Sequence, residues 1–176
     1  MKLDIGCGTG KVGVDWVGVD ISPACRPDVV MDVLTDPWPW KEVDEIRASH
    51  FIEHVPMTCW CCRNERDPLI VFMEKCYDAL KVGGKLTLIY PSCRSDSAYQ
   101  DPTHRRFISR HFVAYLNAPW RKQMGLSHYD IRTDFDITEQ KVQSEELHCK
   151  DQDFMHYHWN VEISCVFTLK KVSPIR

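Results

Sequence analysis

The chain has 176 residues, 44% of them hydrophobic and 27% charged, and its formal net charge is −3. This size and composition suit one globular domain and argue against disorder. The pI of about 6.2 gives no overall basic surface for nucleic acid, and no apolar run approaches the roughly 20 residues that span a bilayer, which argues against membrane insertion.

The first part of the sequence predicts four short strands. Their residues are mostly apolar, which suits a parallel sheet covered on both faces. The prolines and glycines between them predict turns. The predicted strands are Lys2–Ile5, Trp16–Val19 running into Asp20, Val29–Met31 running into Asp32, and Glu45–Ser49.

The clearest helix is predicted over Pro68–Leu80, where apolar residues recur at helical spacing. Asp67 is the expected N-cap, and Gly83 and Gly84 can supply the left-handed conformation just past the C-terminus. A fifth strand is predicted over Lys85–Tyr90. One face of this strand carries Leu86, Leu88 and Tyr90.

A long polar loop is predicted over Pro91–Ile108, and loops of this length are often functional. Ser109 is the expected cap of a short helix that ends near Leu116. Alternating apolar and polar residues then predict two more strands, over Tyr129–Ile137 and Val161–Leu169. We expect these two strands to form an antiparallel pair that closes the sheet.

The segment GCGTG follows the first strand and contains Gly6, Gly8 and Gly10. Glycines allow a sharp turn and leave space for a ligand, which the N–H groups of such a turn can bind. Asp20 can accept hydrogen bonds from both hydroxyls of a ribose, and Asp32 is expected near an adenine amino group. The alternative is a surface turn followed by two loop aspartates, since this glycine spacing is not the dinucleotide fingerprint.

Nine cysteines are present, and the chain begins without a secretory signal pattern. An odd number of cysteines in this context predicts a reduced, cytoplasmic setting. Cys59 and Cys62 have C-x-x-C spacing, and a zinc site can be drawn with them and the His156–His158 segment. No second motif completes a strong ligand pattern, so the sequence predicts no metal site.

Several segments, taken in order, resemble the class I S-adenosylmethionine-dependent methyltransferases. They are LDIGCGTG, VGVDIS, VVMDV, VDEIRASHFIEHV and CYDALKVGGKLTLIYPS. Each segment alone is weak, but the combination is specific and covers about Leu3 to Ser92. The resemblance implies a single methyltransferase domain over 1–176 and a Rossmann-like α/β sheet. The sheet is expected to be mostly parallel, with the C-terminal antiparallel strand pair.

The resemblance also implies a site for S-adenosylmethionine at the ends of the first four strands. The methionine part of the cofactor would be surrounded by Asp4, Gly6, Cys7, Gly8 and Gly10. The ribose would be held by Asp20 and Ile21. The adenine would lie beside Asp32 and Val33, and Ser49 and His50 would form the floor of the site.

The chain departs from the family pattern near its start. Only Lys11–Asp15 separate the glycine segment from the second strand, so the first crossover helix and the usual N-terminal helices are expected to be reduced or missing. A compact subgroup of methyltransferases resembles this chain in that short crossover and in a segment like DPTHRRF after the fifth strand. A homodimer could cover the thinly covered first strands.

Methyl transfer depends mainly on holding the acceptor in line with the methyl carbon, and a general base is needed for some acceptors. His50 and His104 are the candidate catalytic residues; packing or solvent-facing roles are the alternative for the histidines. The candidate substrate-binding residues are Tyr90, Arg94, Tyr99, His104, Arg105 and Arg106. The arginines favour a small or anionic methyl acceptor, although an ordinary solvated loop would look similar.

Nucleic acid is not favoured as the acceptor. Enzymes that methylate amino groups of DNA resemble one another in an Asn/Asp-Pro-Pro-aromatic motif after the fourth strand, and this chain has SHFIEH there instead. The cytosine C5 enzymes use the cysteine of a Pro-Cys pair, which the segment YPSC lacks. The main alternative function is a catalytically inactive cofactor-binding module that acts as a sensor or partner subunit. An NAD or nucleotide-sugar enzyme is a third reading, weakened by the glycine spacing.

Overall fold

The computed structural model describes residues 1–58, 66–143 and 163–172. The strands are β1 (Lys2–Ile5), β2 (Trp16–Asp20), β3 (Val29–Val30), β4 (Val43–Ser49), β5 (Leu80–Pro91), β6 (Phe135–Gln143) and β7 (Ser164–Lys171). The α-helices are α1 (Pro68–Ala79) and α2 (Ala118–Gln123). Short 3₁₀ helices cover Pro23–Cys25, Ile52–His54, Asp96–Ala98 and Arg110–Leu116.

The seven strands form one sheet in the order β3-β2-β1-β4-β5-β7-β6. Strands β1 to β5 pair in parallel, whereas β7 is antiparallel to both β5 and β6. The predicted parallel sheet with an antiparallel C-terminal pair is therefore confirmed. Neither α1 nor α2 has the length and apolar character that a membrane-spanning helix needs, and the other described residues add no such helix.

The strand order reverses direction between β1 and β4, which are hydrogen-bonded neighbours. In open parallel sheets, ligands bind in the crevice at the carboxyl ends of the strands at such a switch point. The segments that follow β1 and β4 are the glycine segment and His50–His54. The topology therefore brings these two segments to the same edge of the sheet.

The connection from β1 to β2 contains no helix in residues 6–15, as the short spacing predicts. It is closed by side-chain contacts instead. The Val12 amide donates to Asp4 Oδ2 at 2.8 Å, and Lys2 Nζ lies 2.8 Å from Asp15 Oδ2. Val12 and Val14 are left exposed in this connection.

Helix α1 begins as predicted. Asp67 Oδ1 accepts hydrogen bonds from the Leu69 amide at 2.8 Å and the Ile70 amide at 3.4 Å, and Pro68 occupies the first helical position, where no N–H is required. The helix buries Leu69, Phe72, Met73 and Cys76 against the sheet. On β5, the predicted face of Leu86, Leu88 and Tyr90 is fully buried.

The predicted end of α1 is wrong. The helix ends at Ala79 because Leu80 is already extended and starts β5. Gly83 does have a positive φ of 80°, but it lies within β5, where a side chain at Gly84 would be 2.9 Å from two carbonyl oxygens. These glycines therefore form a tight irregularity in a strand and do not cap the helix.

The predicted strand over Tyr129–Ile137 is wrong in its first half, because β6 starts at Phe135. The preceding backbone is bonded by side chains instead of by a neighbouring strand. The buried Arg121 guanidinium donates to the carbonyls of Ile131 and Thr133, both at 2.9 Å. The other predicted strand is β7, which starts at Ser164; Val161 lies outside the described residues.

Candidate functional site

The glycine segment forms a tight turn at the carboxyl end of β1. Gly6 has a φ of 66° and Gly8 a φ of 55°, so both occupy the left-handed region that favours glycine. A side chain at Gly6 would collide with the Phe51 ring, only 2.7 Å from its Cβ position. Gly8 and Gly10 instead face open space, with no atom within 4 Å of a Cβ. The turn therefore leaves room for a ligand above Gly8 and Gly10.

The amide groups of this turn donate within the protein. The Gly6 and Cys7 amides both donate to the Val19 carbonyl, at 2.8 and 3.2 Å, and the Gly10 amide donates to the Cys7 carbonyl at 3.3 Å. The expectation that these N–H groups bind a ligand directly therefore does not describe this conformation. The turn leaves space for a ligand above Gly8 and Gly10, and the hydrogen bonds within the turn stabilise this conformation.

Asp20 connects the glycine segment to the end of β2. Its Oδ2 accepts from the Gly8 amide at 3.0 Å, and its Oδ1 accepts from the Ser22 amide at 2.8 Å. A carboxylate has about four acceptor positions, so both oxygens retain capacity for a further donor. Ile21 is exposed beside it. This arrangement suits the predicted contact with two ribose hydroxyls.

Asp4 lies beneath the glycine segment, almost fully buried. Besides the Val12 amide, it accepts a hydrogen bond from Arg47 Nη1 at 3.1 Å. Cys7 lies next to β2, where its Sγ would be 2.9 Å from a side chain at Gly18. Partial burial raises the pKa of the Cys7 thiol. These predicted cofactor residues shape the turn from inside the protein.

Asp32 follows β3 and forms a turn of its own. Its Oδ1 accepts from the Leu34 amide at 3.0 Å, and its Oδ2 accepts from the Thr35 hydroxyl at 2.8 Å. Val33 packs in the core, and its carbonyl accepts from Trp38 Nε1 at 2.9 Å. Asp32 and Val33 thus follow the end of β3, next to Asp20 at the end of β2.

His50 follows directly on Ser49, the last residue of β4, and has an unusual backbone. Its φ is 50°, which is uncommon and strained for a residue other than glycine. The imidazole is half exposed, and its Nδ1 lies 3.2 Å from Glu53 Oε1. This hydrogen bond raises the pKa of His50, although partial burial opposes the effect. Strained residues of this kind cluster at functional sites.

The long loop after β5 is packed against the segment after β4. The Arg105 and Arg106 amides both donate to the Glu53 carbonyl, at 2.8 and 3.0 Å. As a result the His104 ring contacts the His54 ring, with 4.8 Å between the ring centroids. The structure thus brings His104 next to the segment that begins with His50.

Two of the predicted substrate-binding residues are engaged inside the protein. Tyr90 is fully buried, stacks on Phe167 and donates its hydroxyl proton to the Ser109 carbonyl. The Arg106 guanidinium donates to the Val55 carbonyl at 2.8 Å and to Asp67 Oδ2 at 3.0 Å. In this conformation both side chains hold structure together.

The remaining predicted substrate residues lie nearer the surface. Tyr99 is stacked on Phe107 with ring centroids 4.3 Å apart, and its hydroxyl donates to the Cys93 carbonyl at 3.1 Å. Arg105 is exposed, and its guanidinium donates to the Pro102 carbonyl at 3.3 Å. The Arg94 amide donates to Ser92 Oγ at 3.2 Å, which places Arg94 at the start of the same loop.

A cavity of about 640 Å³ opens on the other side of Arg106. Its lining is mostly apolar and includes Leu69, Ile108, Phe112 and Tyr129. None of the residues predicted to hold the nucleoside lines it. This cavity is therefore distinct from the edge of the sheet where the glycine segment lies.

Sequence reasoning gave no role to Glu53, which the structure places at the centre of the contacts after β4. Glu53 is 1% exposed, and its Oε2 has no hydrogen-bond partner among the described residues. Its position in FIEHV, between Ile52 and His54, gave no signal that a carboxylate would be buried. The cysteine and histidine segments considered for zinc, Cys59–Cys62 and His156–His158, lie outside the described residues.

No protein-family model matches the chain, and no curated protein is significantly similar to it in sequence. Solved structures do match it. A SAM-dependent methyltransferase from Archaeoglobus fulgidus has a TM-score of 0.65 at 20% identity, over 97% of this chain and 85% of the other. A SAM-dependent methyltransferase from Methanosarcina mazei has a TM-score of 0.56 at 17% identity, over 97% and 92%.

A third example, an S-adenosylmethionine-dependent methyltransferase from Clostridium acetobutylicum, has a TM-score of 0.59 at 11% identity, over 98% of this chain and 84% of the other. At such identities the likeness concerns the fold. It covers 97–98% of this chain in each case. The chain therefore has the fold of the class I S-adenosylmethionine-dependent methyltransferases.

Proposed function

We propose that this chain binds S-adenosylmethionine at the carboxyl ends of β1 to β4 and transfers its methyl group to an acceptor. The observation that carries the proposal is the glycine turn at the switch point. Gly8 has a positive φ, faces open space and is fixed to Asp20 by a 3.0 Å hydrogen bond. The residues present therefore fit a nucleoside with a bulky substituent on its ribose.

Each predicted cofactor residue has a part in this proposal. Asp20 binds the ribose hydroxyls, with Ile21 beside it, and Asp32 and Val33 border the adenine. The methionine part lies over Gly8 and Gly10, where the turn leaves space. Asp4, Gly6 and Cys7 support the turn from below, and Ser49 and His50 close the site at the end of β4.

S-adenosylmethionine, when bound, supplies an electrophilic methyl group on a sulfonium centre. The chain's contribution is to position the acceptor and to exclude water from the reacting groups. His50 is half exposed at the edge of the site and is the candidate to accept a proton from the acceptor. Its hydrogen bond to Glu53 orients the ring for that role.

We propose a small polar or anionic acceptor, bound by the loop after β5. The support is the exposed Arg105, whose guanidinium donates to the Pro102 carbonyl at 3.3 Å and can pair with a carboxylate or phosphate. Tyr99 and Phe107 add a stacked aromatic pair on the same loop. Tyr90 and Arg106 support this loop from inside the protein.

A second copy of the chain is the proposed partner for the first strands. Val14 is 97% exposed and Val12 48% exposed, and both lie in the connection from β1 to β2, which has no helix. Burial of these side chains between two copies would remove their apolar surface from water. Light scattering of the purified protein tests the proposal, and a monomer at all concentrations would contradict it.

Calorimetric titration with S-adenosylmethionine and S-adenosylhomocysteine tests the proposed function. The expected result is saturable binding of both, weakened at least about tenfold in Asp20→Asn because charge-assisted hydrogen bonds to the ribose are lost. Asp78→Asn, which changes an exposed aspartate on α1, is the control and is expected to bind normally. Absence of binding to the folded wild-type protein contradicts the proposal.

A further inference from the structure

Three side chains of the types that bind metal ions, from two separate segments, lie close together beside the end of β4. Glu53 and His54 belong to the 3₁₀ helix after β4, and His104 belongs to the loop after β5, fifty residues further along. One donor atom from each lies within 4.8 Å of the others. We call these three residues the Glu53 cluster.

The hydrogen bonds of the two histidines leave the same ring nitrogen available. His104 Nδ1 lies 2.8 Å from the Ala98 carbonyl, which only accepts, so Nδ1 carries the proton in the neutral ring. His54 Nδ1 lies 3.2 Å from Thr103 Oγ1, and that hydroxyl donates its own proton to Asp101 Oδ1 at 2.7 Å. His54 Nδ1 therefore carries the proton too. Both Nε2 atoms keep a lone pair for a metal ion.

This pattern is also the one that orients histidine ligands in metalloproteins. Such histidines usually donate their second N–H to a carbonyl, a carboxylate or another polar group, which fixes the ring orientation. The His104 side chain is only 8% exposed, so its ring is held by the protein as well. The two imidazoles are thus preorganised as ligands.

Glu53 supplies the third donor atom, and its buried carboxylate would be stabilised by a bound cation. The residue is 1% exposed, and its Oε2 has no hydrogen-bond partner among the described residues, while Oε1 contacts His50. A buried carboxylate oxygen without a partner is destabilising. Asp101 Oδ2, 3.8 Å from His104 Nε2, adds a second negative charge next to the cluster.

The geometry points to a binding site for one divalent first-row transition-metal ion, such as Zn²⁺, Co²⁺ or Mn²⁺, formed by Glu53, His54 and His104. Two imidazoles favour such ions over Mg²⁺ and Ca²⁺, which prefer oxygen ligands. Ligands at about 2.0–2.2 Å around a tetrahedral ion are about 3.3–3.6 Å apart, so donors up to 4.8 Å apart need to approach one another by roughly an ångström.

The backbone holds the two contributing segments at this separation. The Arg105 and Arg106 amides, just after His104, both donate to the Glu53 carbonyl. The remaining approach of the donor atoms is assigned to small adjustments of the Glu53, His54 and His104 side chains. The inference goes beyond the proposed methyl transfer and does not depend on it. If the metal site and the proposed methyl transfer are both correct, an ion with three protein ligands retains open positions for an oxygen of the acceptor.

Titration of the metal-free full chain with Co²⁺ tests the inference. The protein is treated with a chelator, dialysed and titrated while its visible absorption spectrum and calorimetric heat are recorded. We expect one equivalent of Co²⁺ with the weak d–d bands of nitrogen and oxygen ligands, displaced by Zn²⁺. His54→Ala and His104→Ala are expected to weaken binding at least about tenfold, as even outer-shell changes cost 10–100-fold.

His128→Ala is the matched control, because His128 is exposed and contacts only the Tyr129 ring among the described residues. Circular dichroism confirms that each variant is folded, and Glu53→Gln and His104→Gln are the milder replacements if an alanine variant is not. Binding that persists unchanged in the double His54→Ala/His104→Ala variant overturns the inference.

Two other outcomes also overturn it: no binding by the folded wild-type protein, and binding with thiolate charge-transfer bands that disappear in Cys59→Ser/Cys62→Ser. The second outcome assigns the ion to the cysteine segment. Titration of the metal-free protein with S-adenosylhomocysteine is measured separately, so loss of the metal site and failure of the proposed cofactor site are distinguishable.

Discussion

The Asp20 carboxylate accepts a hydrogen bond from the Gly8 amide at 3.0 Å, across the gap between the ends of β2 and β1. The residue predicted to bind the ribose is therefore also the residue that fixes the turn around the rest of the cofactor. The proposed ribose contact and the conformation of the turn are thus coupled through one side chain.

Gly8→Ala is expected to weaken S-adenosylhomocysteine binding, since the methyl group would occupy the space above the turn. Its φ of 55° also adds left-handed strain of roughly 1–2 kcal/mol. Gly125→Ala is the matched control, with a φ of 72°, open surroundings and a position in another part of the chain. Both variants should lose similar stability in urea. Calorimetry should detect weaker binding only for Gly8→Ala, and equal effects would contradict the placement of the ligand.

His50 provides a test of backbone strain at the site. His50→Gly and His50→Ala both remove the imidazole and its contact with Glu53, but only glycine tolerates the φ of 50° without strain. We expect His50→Gly to be more stable than His50→Ala by about 1 kcal/mol in urea denaturation. The opposite order would show that the left-handed conformation is absent. Both variants should lose methyl transfer if the imidazole is required.

Arg105 and Arg106 are adjacent, yet we expect their replacement to have different effects. Arg106→Ala leaves the Val55 and Pro56 carbonyls without their donor and should destabilise the protein by about 2–4 kcal/mol. Arg105→Ala changes an exposed side chain and should alter stability by less than about 0.5 kcal/mol. Denaturant midpoints measure this difference. Comparable losses for the two variants would count against the contacts of Arg106.

Glu74 on α1 predicts an acid-sensitive contribution to stability. Burial alone raises the pKa of its carboxyl, but hydrogen bonds from the Arg66 guanidinium, at 2.6 and 2.7 Å, and from the Arg132 amide lower the net pKa below the usual 4.5. A carboxyl with a lower pKa in the folded state stabilises the protein above its unfolded pKa, and this stabilisation is lost as the pH falls through the folded-state value.

The measurement is the difference in free energy of unfolding between wild type and Glu74→Gln at several pH values. We expect the wild type to be more stable at pH 7 and the difference to shrink steadily below about pH 4.5. A difference that stays constant or grows in acid would contradict this role for Glu74.

Much of the fold is local enough to be predicted from the sequence. Strand β1, β2 and the Asp67 cap of α1 depend on short apolar runs and on one capping side chain, which the sequence displays directly. The resemblance added the mostly parallel sheet with an antiparallel strand pair, and it assigned Gly8 and Asp20 to one site, where the structure joins them by a hydrogen bond.

The errors come from contacts between residues far apart in the chain. Alternating apolar residues before Phe135 favour a strand, but Arg121 and Glu74 bind the backbone there, and none of the described strands pairs with it. Likewise Glu53 is buried by the loop that follows β5. No periodicity within FIEHV shows that a loop fifty residues away will cover it.

The two amide hydrogen bonds from Arg105 and Arg106 to the Glu53 carbonyl also bear on how this side of the protein moves. Since one carbonyl oxygen accepts both, lifting of the loop after β5 breaks two hydrogen bonds to the 3₁₀ helix after β4 at once and separates the His104 ring from the His54 ring. Under the proposed function, an acceptor that enters beneath this loop therefore disturbs the segment next to His50 as it arrives.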